Sequence, residues 1–208
     1  MKRLIAAVLA SLSLSLAWAQ VPAPAELIPA DGTPNVTKEL SRKIGGKAFA
    51  KKTASLPAFA FEQAYELTVT PKGYRVQANT ETGYFYALQT LSQMQTCGTV
   101  YDYPRFQYRG FMLDISRHFR DKDFILKQMK ALANLKINQL HLHLTDDAGW
   151  RLQVDSYPLL TSQAAWRVGA DWQEWCDLGR QYSREGAPEA VGSYLTKADV
   201  REILAEAR

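Results

Sequence analysis

Cysteine is scarce in this chain, with only Cys97 and Cys176 among 208 residues. That excludes a disulfide framework. One bridge is the most the chain could form, and no motif surrounds the two positions, so they read as two unrelated thiols. Runs of like charge are also missing. The 25 Lys and Arg against 21 Asp and Glu leave a formal charge of +4 that is scattered along the sequence. No stretch is dense enough to form a nucleic-acid surface. Long apolar runs are absent but for one at the N-terminus, which is too short and wrongly flanked to cross a membrane.

That N-terminal run reads as a secretory signal. Lys2 and Arg3 give the positive region, residues 4–16 the apolar stretch, and Ala17-Trp18-Ala19 the small residues of a cleavage site. Residues 1–19 are expected to be removed, and the mature protein to be exported to a periplasm or secreted. No Cys follows the apolar stretch, so a lipid anchor is not expected. What remains is an ordinary globular composition, 47% hydrophobic and 22% charged. Aromatics reach 11%, with five Trp. That suits stacking on sugars and equally suits a packed core.

Residues 20–37 are rich in Pro and Ala and read as extended chain. Residues 38–60 are weakly patterned, with Gly45-Gly46 breaking any helix. The first clear signal is a hairpin. Residues 65–70 and 74–78 are β-rich and joined by Pro71-Lys72-Gly73. From Gly83, the positions Tyr84, Ala87, Leu88, Leu91 and Met94 recur at helical spacing. Hairpin and helix make a small α+β domain over 20–98, followed by a linker over 99–108 that contains Pro104.

The most informative stretch is 109–147, RGFMLDISRHFRDKDFILKQMKALANLKINQLHLHLTDD. A strand opens at Phe111. Asp121 or Asp123 caps a helix whose apolar face is Ile125, Met129, Leu132 and Ala133. A second strand over 138–145 alternates Leu140, Leu142 and Leu144 with His141, His143 and Thr145. Strand, helix and strand at this spacing form a βαβ unit with parallel strands. A long Trp-rich loop over 148–193 follows, and then a helix capped by Thr196 with Asp199 in its first turn. Two strands cannot close a buried parallel sheet. The α/β pattern therefore reads as the first strands and helices of a (β/α)8 TIM-type barrel, which typically needs ~250 residues, and the chain as truncated.

Functional groups of such a barrel gather at the C-terminal strand ends. The first strand ends at Ser116-Arg117-His118 and the second at Thr145-Asp146-Asp147, so Arg117, His118, Asp146 and Asp147 are expected on one rim. An arginine carries five fixed donors, suited to adjacent sugar hydroxyls. The same residues have plainer readings. Arg117 and Asp146 would equally serve as an ion pair between strands, Asp114 as a structural partner of Arg117 or a His, and Asp147 as a turn cap. His141 and His143 fit a core, and Trp150, Trp166, Trp172 and Trp175 fit packing. His141-x-His143 with Asp146 is also a partial metal site, although a complete site needs further ligands.

Taken together, these motifs resemble a known family. Arg109-Gly110, the run from Leu113 to Phe119, the run from Asn138 to Asp147, Gly149-Trp150-Arg151, Tyr157-Pro158-Leu159 and Trp166-Arg167 look like the start of the catalytic domain of the β-N-acetylhexosaminidases, glycoside hydrolase family 20. Residues 192–196 match that family's approach to its next helix. The run from Gly83 to Leu91 matches the small domain preceding the barrel. The resemblance spans residues 65–208 and is far more specific than any lone motif.

It implies that Arg117 hydrogen-bonds the hydroxyls of a terminal N-acetylhexosamine and that Asp146 supports both arginine and sugar. Asp114, His118, His141, His143, Asp147 and Trp150 are expected in supporting places, with no metal and no cofactor. Partners would be N-acetylhexosamine-terminated oligosaccharides or glycoconjugates, not nucleic acid. The implied reaction is exo-hydrolysis by a substrate-assisted retaining route, using an adjacent Asp-Glu pair on a later strand. Neither a Gly-Gly-Asp-Glu run nor the family's Pro-Glu-Ile-Asp run occurs in the 208 residues. The chain itself is therefore expected to be inactive, and a non-catalytic sugar-binding protein is the main alternative.

Overall fold

The computed structural model describes residues 21–207, so the expected signal peptide lies outside the described residues. Two compact units emerge: Met1–Arg109 with Ala133–Lys136, and Gly110–Leu132 with Ile137–Arg208.

The first unit is built on a five-stranded sheet of β1 (Glu26–Ala30), β2 (Glu39–Ile44), β3 (Tyr65–Thr70), β4 (Gly73–Ala78) and β5 (Cys97–Asp102), in the order β1-β5-β3-β4-β2. The expected hairpin is β3 paired antiparallel with β4, from Tyr65 opposite Ala78 to Thr70 opposite Gly73. Period-two alternation sets its faces. Tyr65, Leu67 and Val69 are buried, while Glu66, Thr68 and Thr70 are only half-buried. Gly73 has φ +139°, and a Cβ there would stand 2.2 Å from the Lys38 carbonyl oxygen. Only glycine fits that approach.

Against this sheet packs α3 (Glu81–Leu91), capped by Thr80, whose side chain accepts from the Gly83 N–H. Tyr86, Ala87 and Leu91, with Met94 just beyond the helix, complete the core around Leu67, Val76 and Val100. The stretch that read as extended and unpatterned also carries β1, β2 and two short helices, α1 (Lys47–Lys52) and α2 (Ala58–Gln63). Gly46 does not bar a helix; it stands at the N-cap of α1. The domain boundary also moves. The sequence closed this domain at 98, but β5 runs to Asp102 and pairs with both β1 and β3. Cys97-Gly98 looked like an end because Gly and a following Pro punctuate, whereas pairing on both sides makes the segment an interior strand.

This unit also buries a charge. Lys136, in the left-handed region at φ +58°, sends its ammonium 2.6 Å from Asp102 Oδ2 and donates to the Tyr65 hydroxyl at 2.8 Å. The Tyr65 hydroxyl also makes a short hydrogen bond to Thr90. Burial lowers the Lys136 pKa although Asp102 opposes the shift, and burial with Asp102 nearby raises that of Tyr65.

In the second unit β6 (Gly110–Asp114) pairs parallel with β7 (Gln139–His143), from Gly110 opposite Gln139 to Asp114 opposite His143. Helix α4 (Lys122–Asn134) lies between them in sequence, which is the expected βαβ order. Asp121 begins it, its carboxylate accepting the Phe124 N–H at 2.9 Å. Ile115, Ile125, Leu195 and Ile203 form the core, with Met129, Leu140, Leu142 and Leu144 packed against it. The last helix, α7 (Lys197–Glu206), starts at a full capping box between Thr196 and Asp199.

Residues 148–193 are not one long loop. They hold β9 (Gly149–Trp150), which pairs with β8 (Thr145–Asp146) just before the span, α5 (Leu159–Ser162), β10 (Trp166–Val168) paired with β11 (Ala190–Gly192), and α6 (Trp172–Asp177). None exceeds six residues, too short for a hydrophobic period to show in sequence.

Candidate functional site

The site starts where β6 stops. Asp114 Oδ1 accepts the N–H groups of Ser116 at 2.9 Å and Arg117 at 3.1 Å, a local turn that ends the strand. The same carboxylate then meets Arg117 through its other oxygen, at 2.5 Å from Nη1. Beyond the neighbouring strand β7, Asp146 Oδ2 lies 2.6 Å from Arg117 Nη2 and 2.9 Å from His143 Nε2. Asp146 Oδ1 accepts the Asp147 N–H at 2.8 Å. Parallel pairing of β6 with β7 puts both strand ends on one side, so residues 29 positions apart in sequence share one cluster.

The guanidinium therefore sits between two carboxylates, one on each terminal nitrogen. These contacts use two of its five N–H donors and leave three, and the side chain is 44% exposed. A planar, permanently charged donor set held in place and still open to solvent suits adjacent hydroxyl groups of a ligand. The electrostatics keep it charged. Burial alone would push Asp114 up, but the hydrogen bonds from the Arg117 side chain and from two backbone N–H groups outweigh it and hold the carboxyl below its ordinary value. The Asp147 N–H, then His143, do the same for Asp146. Hydrogen bonding to Asp114 raises Arg117.

A second arginine builds the frame. Arg151 is 1% exposed, and among the described residues it forms no ion pair with a carboxylate. It donates instead to five backbone carbonyls: Ile115 and Ser116 at the end of β6, Ala148 beside Asp147, Ala165 before β10, and Ser193 after β11. Burial, with Arg167 adding repulsion, pushes its pKa down to about 10. Gly149 is required alongside it, because a Cβ there would sit 2.4 Å from the Arg151 guanidinium carbon. Arg167 is also buried, at 2% exposure, and its Nη1 has no hydrogen-bond partner. Its guanidinium lies 5.7 Å from the centre of the Trp175 ring, an aromatic face where an acceptor would otherwise be needed.

The expected site residues divide. Arg117, Asp114, Asp146 and His143 converge on one cluster. Asp147 joins it, not as a turn cap: its carboxylate faces Arg180 at 3.5 Å and its carbonyl accepts from the Tyr182 hydroxyl at 2.6 Å. His118 and His141 do not converge. Both are exposed, and neither imidazole makes a hydrogen bond among the described residues. His118 follows the turn that Asp114 closes and is carried outward, while His141 lies two residues before His143 on β7 and stops short of the strand end. Trp150 donates its indole N–H to the Leu152 carbonyl, so its polar end is engaged locally. Cys97 and Cys176 are both free thiols. Among the described residues no group of three or more His, Cys, Asp or Glu could hold a metal ion, and no helix is long and apolar enough to cross a membrane.

The pattern-based reading missed Arg151 as a frame, and Trp172, Arg180 and Tyr182 as neighbours of the rim. Arg151 stands in the motif Gly149-Trp150-Arg151, but nothing in the sequence says that an arginine will find only carbonyls. The other three lie in short elements with no period.

Comparison with known proteins bears on this arrangement. Residues 106–208 match the model of the glycosyl hydrolase family 20 catalytic domain, and residues 2–103 that of glycosyl hydrolase family 20, domain 2. The chain is 42% identical over 152 residues to a β-hexosaminidase of Akkermansia muciniphila, covering 68% of this chain and 28% of that protein. It is 38% identical over 153 residues to the N,N'-diacetylchitobiase of Vibrio harveyi, covering 70% and 17%. The chain thus spans well under a third of the length of these relatives. A crystal structure of a β-N-acetylhexosaminidase superposes with a TM-score of 0.70 at 30% identity, over 91% of this chain and 37% of that one. An exo-β-N-acetylglucosaminidase from Vibrio harveyi, solved with N-acetylglucosamine, gives the same score of 0.70 at 24% identity, over 92% and 34%, and speaks for the fold alone.

Proposed function

Because this chain belongs to glycosyl hydrolase family 20, whose members among its relatives are β-hexosaminidases, we propose that the Arg117 cluster is the part of a hexosaminidase site that grips the terminal N-acetylhexosamine. The observation that carries this is the Arg117 guanidinium held by Asp114 and Asp146 at 2.5 and 2.6 Å with three donors to spare. In this reading the second unit is the opening of a (β/α)8 barrel. Exposed apolar residues on β6, Phe111 at 41% and Met112 at 52%, fit a strand whose barrel neighbours are supplied by further strands. The proposal extends to export, directed by residues 1–19.

The reaction proposed for a polypeptide joining this chain to the family's Asp-Glu pair is exo-hydrolysis of terminal N-acetylglucosamine or N-acetylgalactosamine. The substrate's acetamido oxygen attacks the anomeric carbon as the glutamic acid protonates the departing glycosidic oxygen; water then opens the bicyclic intermediate with net retention. Arg117 and Asp146 orient the ring for that attack. Asp114 and Asp146 are both lowered, which suits acceptors and salt-bridge partners and not acids. In this reading the chain, whose 208 residues contain no Gly-Gly-Asp-Glu run, binds the sugar without cleaving it.

The test is to titrate the chain with N-acetylglucosamine by calorimetry and to incubate it with an aryl N-acetyl-β-glucosaminide from mildly acid to neutral pH. Binding without release of the aryl group is expected. Absence of binding removes the sugar-gripping assignment. Turnover by purified chain shows that a carboxyl within these residues, Asp147 or Glu174 for example, serves as the acid.

A further inference from the structure

The segment at residues 171–182 belongs to no motif that pointed to the site, yet it is tied to the rim at three places. Trp172, the first residue of α6, has its ring centre 5.8 Å from the Arg117 guanidinium carbon and 6.0 Å from that of Arg180. Arg180 reaches Asp147 at 3.5 Å, and the Tyr182 hydroxyl donates to the Asp147 carbonyl at 2.6 Å. The segment is internally firm. Asp171 caps α6 through the Glu174 N–H at 2.9 Å. Trp172 packs on Trp175 with ring centres 5.4 Å apart, and Trp175 is fully buried. Arg180 adopts φ +58° and donates its N–H to the Trp175 carbonyl at 2.8 Å, which closes the helix. A non-glycine residue in that region is held there by its surroundings.

We infer that Trp172 is a positioning residue for Arg117, its indole holding the guanidinium beside the two carboxylates so that the three spare donors face the sugar. Asp114 and Asp146 engage the two ends of the guanidinium but do not cover its face, and the side chain is 44% exposed. An aromatic ring within ~6 Å of a cation attracts it through the ring quadrupole. That removes motion which would otherwise be lost only when the sugar binds. Asp147, Arg180 and Tyr182 fasten the indole to the same rim that carries Asp146. This inference rests on the sugar-gripping role proposed above, and its test keeps the two apart.

The 208-residue chain is compared with its Trp172→Leu and Trp172→Phe variants. Leucine keeps an apolar side chain and removes the quadrupole; phenylalanine keeps a smaller one. Two measurements are made: the ¹H–¹⁵N resonance of Arg117 Nε without ligand, and N-acetylglucosamine affinity. Trp172→Leu is expected to move and broaden the Arg117 Nε signal and to weaken sugar binding about two- to fivefold, with Trp172→Phe recovering most of both. An unmoved Arg117 signal in the leucine variant overturns the inference whether or not any sugar binds. A moved signal with unchanged affinity also overturns it, since the contact would then be structural only. Failure of the unaltered chain to bind sugar, with the Arg117 signal moving in the leucine variant and restored by phenylalanine, overturns the proposed function and keeps the positioning contact.

Discussion

Both units bury cations, and Lys136 in the first and Arg151 in the second are satisfied differently. In the first, Lys136 meets Asp102 and Tyr65 inside a closed sheet-and-helix core, with lysine and aspartate side chains each 10% exposed. In the second, Arg151 is buried with only carbonyl oxygens as hydrogen-bond acceptors, while Arg117, which faces two carboxylates, stays 44% exposed. The contrast separates a charge kept for the fold from a charge kept for a ligand. The buried lysine spends its donors on Asp102 and Tyr65, inside the protein, at a desolvation cost. An exposed arginine between two carboxylates keeps donors in reserve. Arg151 is what permits this, because it gathers five backbone carbonyls from four segments and leaves the carboxylates of the rim to Arg117.

The comparison breaks most visibly at Lys136. Replacing it by Met leaves Asp102 buried and unpaired, and a loss of about 3–5 kcal/mol is expected in the unfolding free energy of the first unit, read by urea denaturation. Sugar binding should be little changed in whatever fraction remains folded. Recovery of most of the loss by the double variant Lys136→Met with Asp102→Leu would show that the uncompensated charge, not the lysine's own contacts, sets the cost. Stability unchanged by Lys136→Met would mean that the pair is solvated and the two buried cations are not a contrast at all.

Arg117→Ala should do the opposite. N-acetylglucosamine affinity is expected to fall about tenfold or more, because charge-assisted hydrogen bonds to hydroxyls are lost, while the melting temperature shifts little for so exposed a pair. Asp146→Asn should act in the same direction and more weakly, removing one of the two restraints on the guanidinium. An affinity unmoved by Arg117→Ala takes that arginine out of the site.

The smallest effect expected is on pH dependence. Asp114 and Asp146 have folded-state pKa values below the ordinary carboxylate value of ~3.9. Their contribution to stability is therefore complete above that value and is lost as pH falls through the lowered folded values. Sugar affinity should hold level from neutral to about pH 5 and decline only in stronger acid. A decline that begins well above about pH 5 would show that these two carboxylates do not set the dependence.

Much of the frame was legible in sequence. The β3–β4 hairpin, the helix after it, the βαβ unit and the Thr196 cap follow from alternation, helical period and capping residues, which are local properties. The rim was legible too, since Arg117 and Asp146 end neighbouring strands. What escaped was set by partners distant in sequence. β1 and β2 have little period of their own and become strands by pairing with β5 and β4. β5 was hidden behind its glycine, and β9, β10 and β11 are flanked by carbonyls that Arg151 holds, contacts that no pattern encodes.

By itself, then, the sequence determined the hairpin and its helix, the βαβ unit, the family, and the residue types at the strand ends, because propensity, periodicity and motif are properties of neighbouring positions. Only the tertiary structure decided which of those residues meet. It brought Asp114, Asp146 and His143 together with Arg117, left His118 and His141 outside, and added Trp172 and Arg180 from a segment that looked like loop. The physical reason is that hydrogen bonds and ion pairs act over a few ångströms of space, and distance along the chain does not reveal which atoms a fold will bring that close.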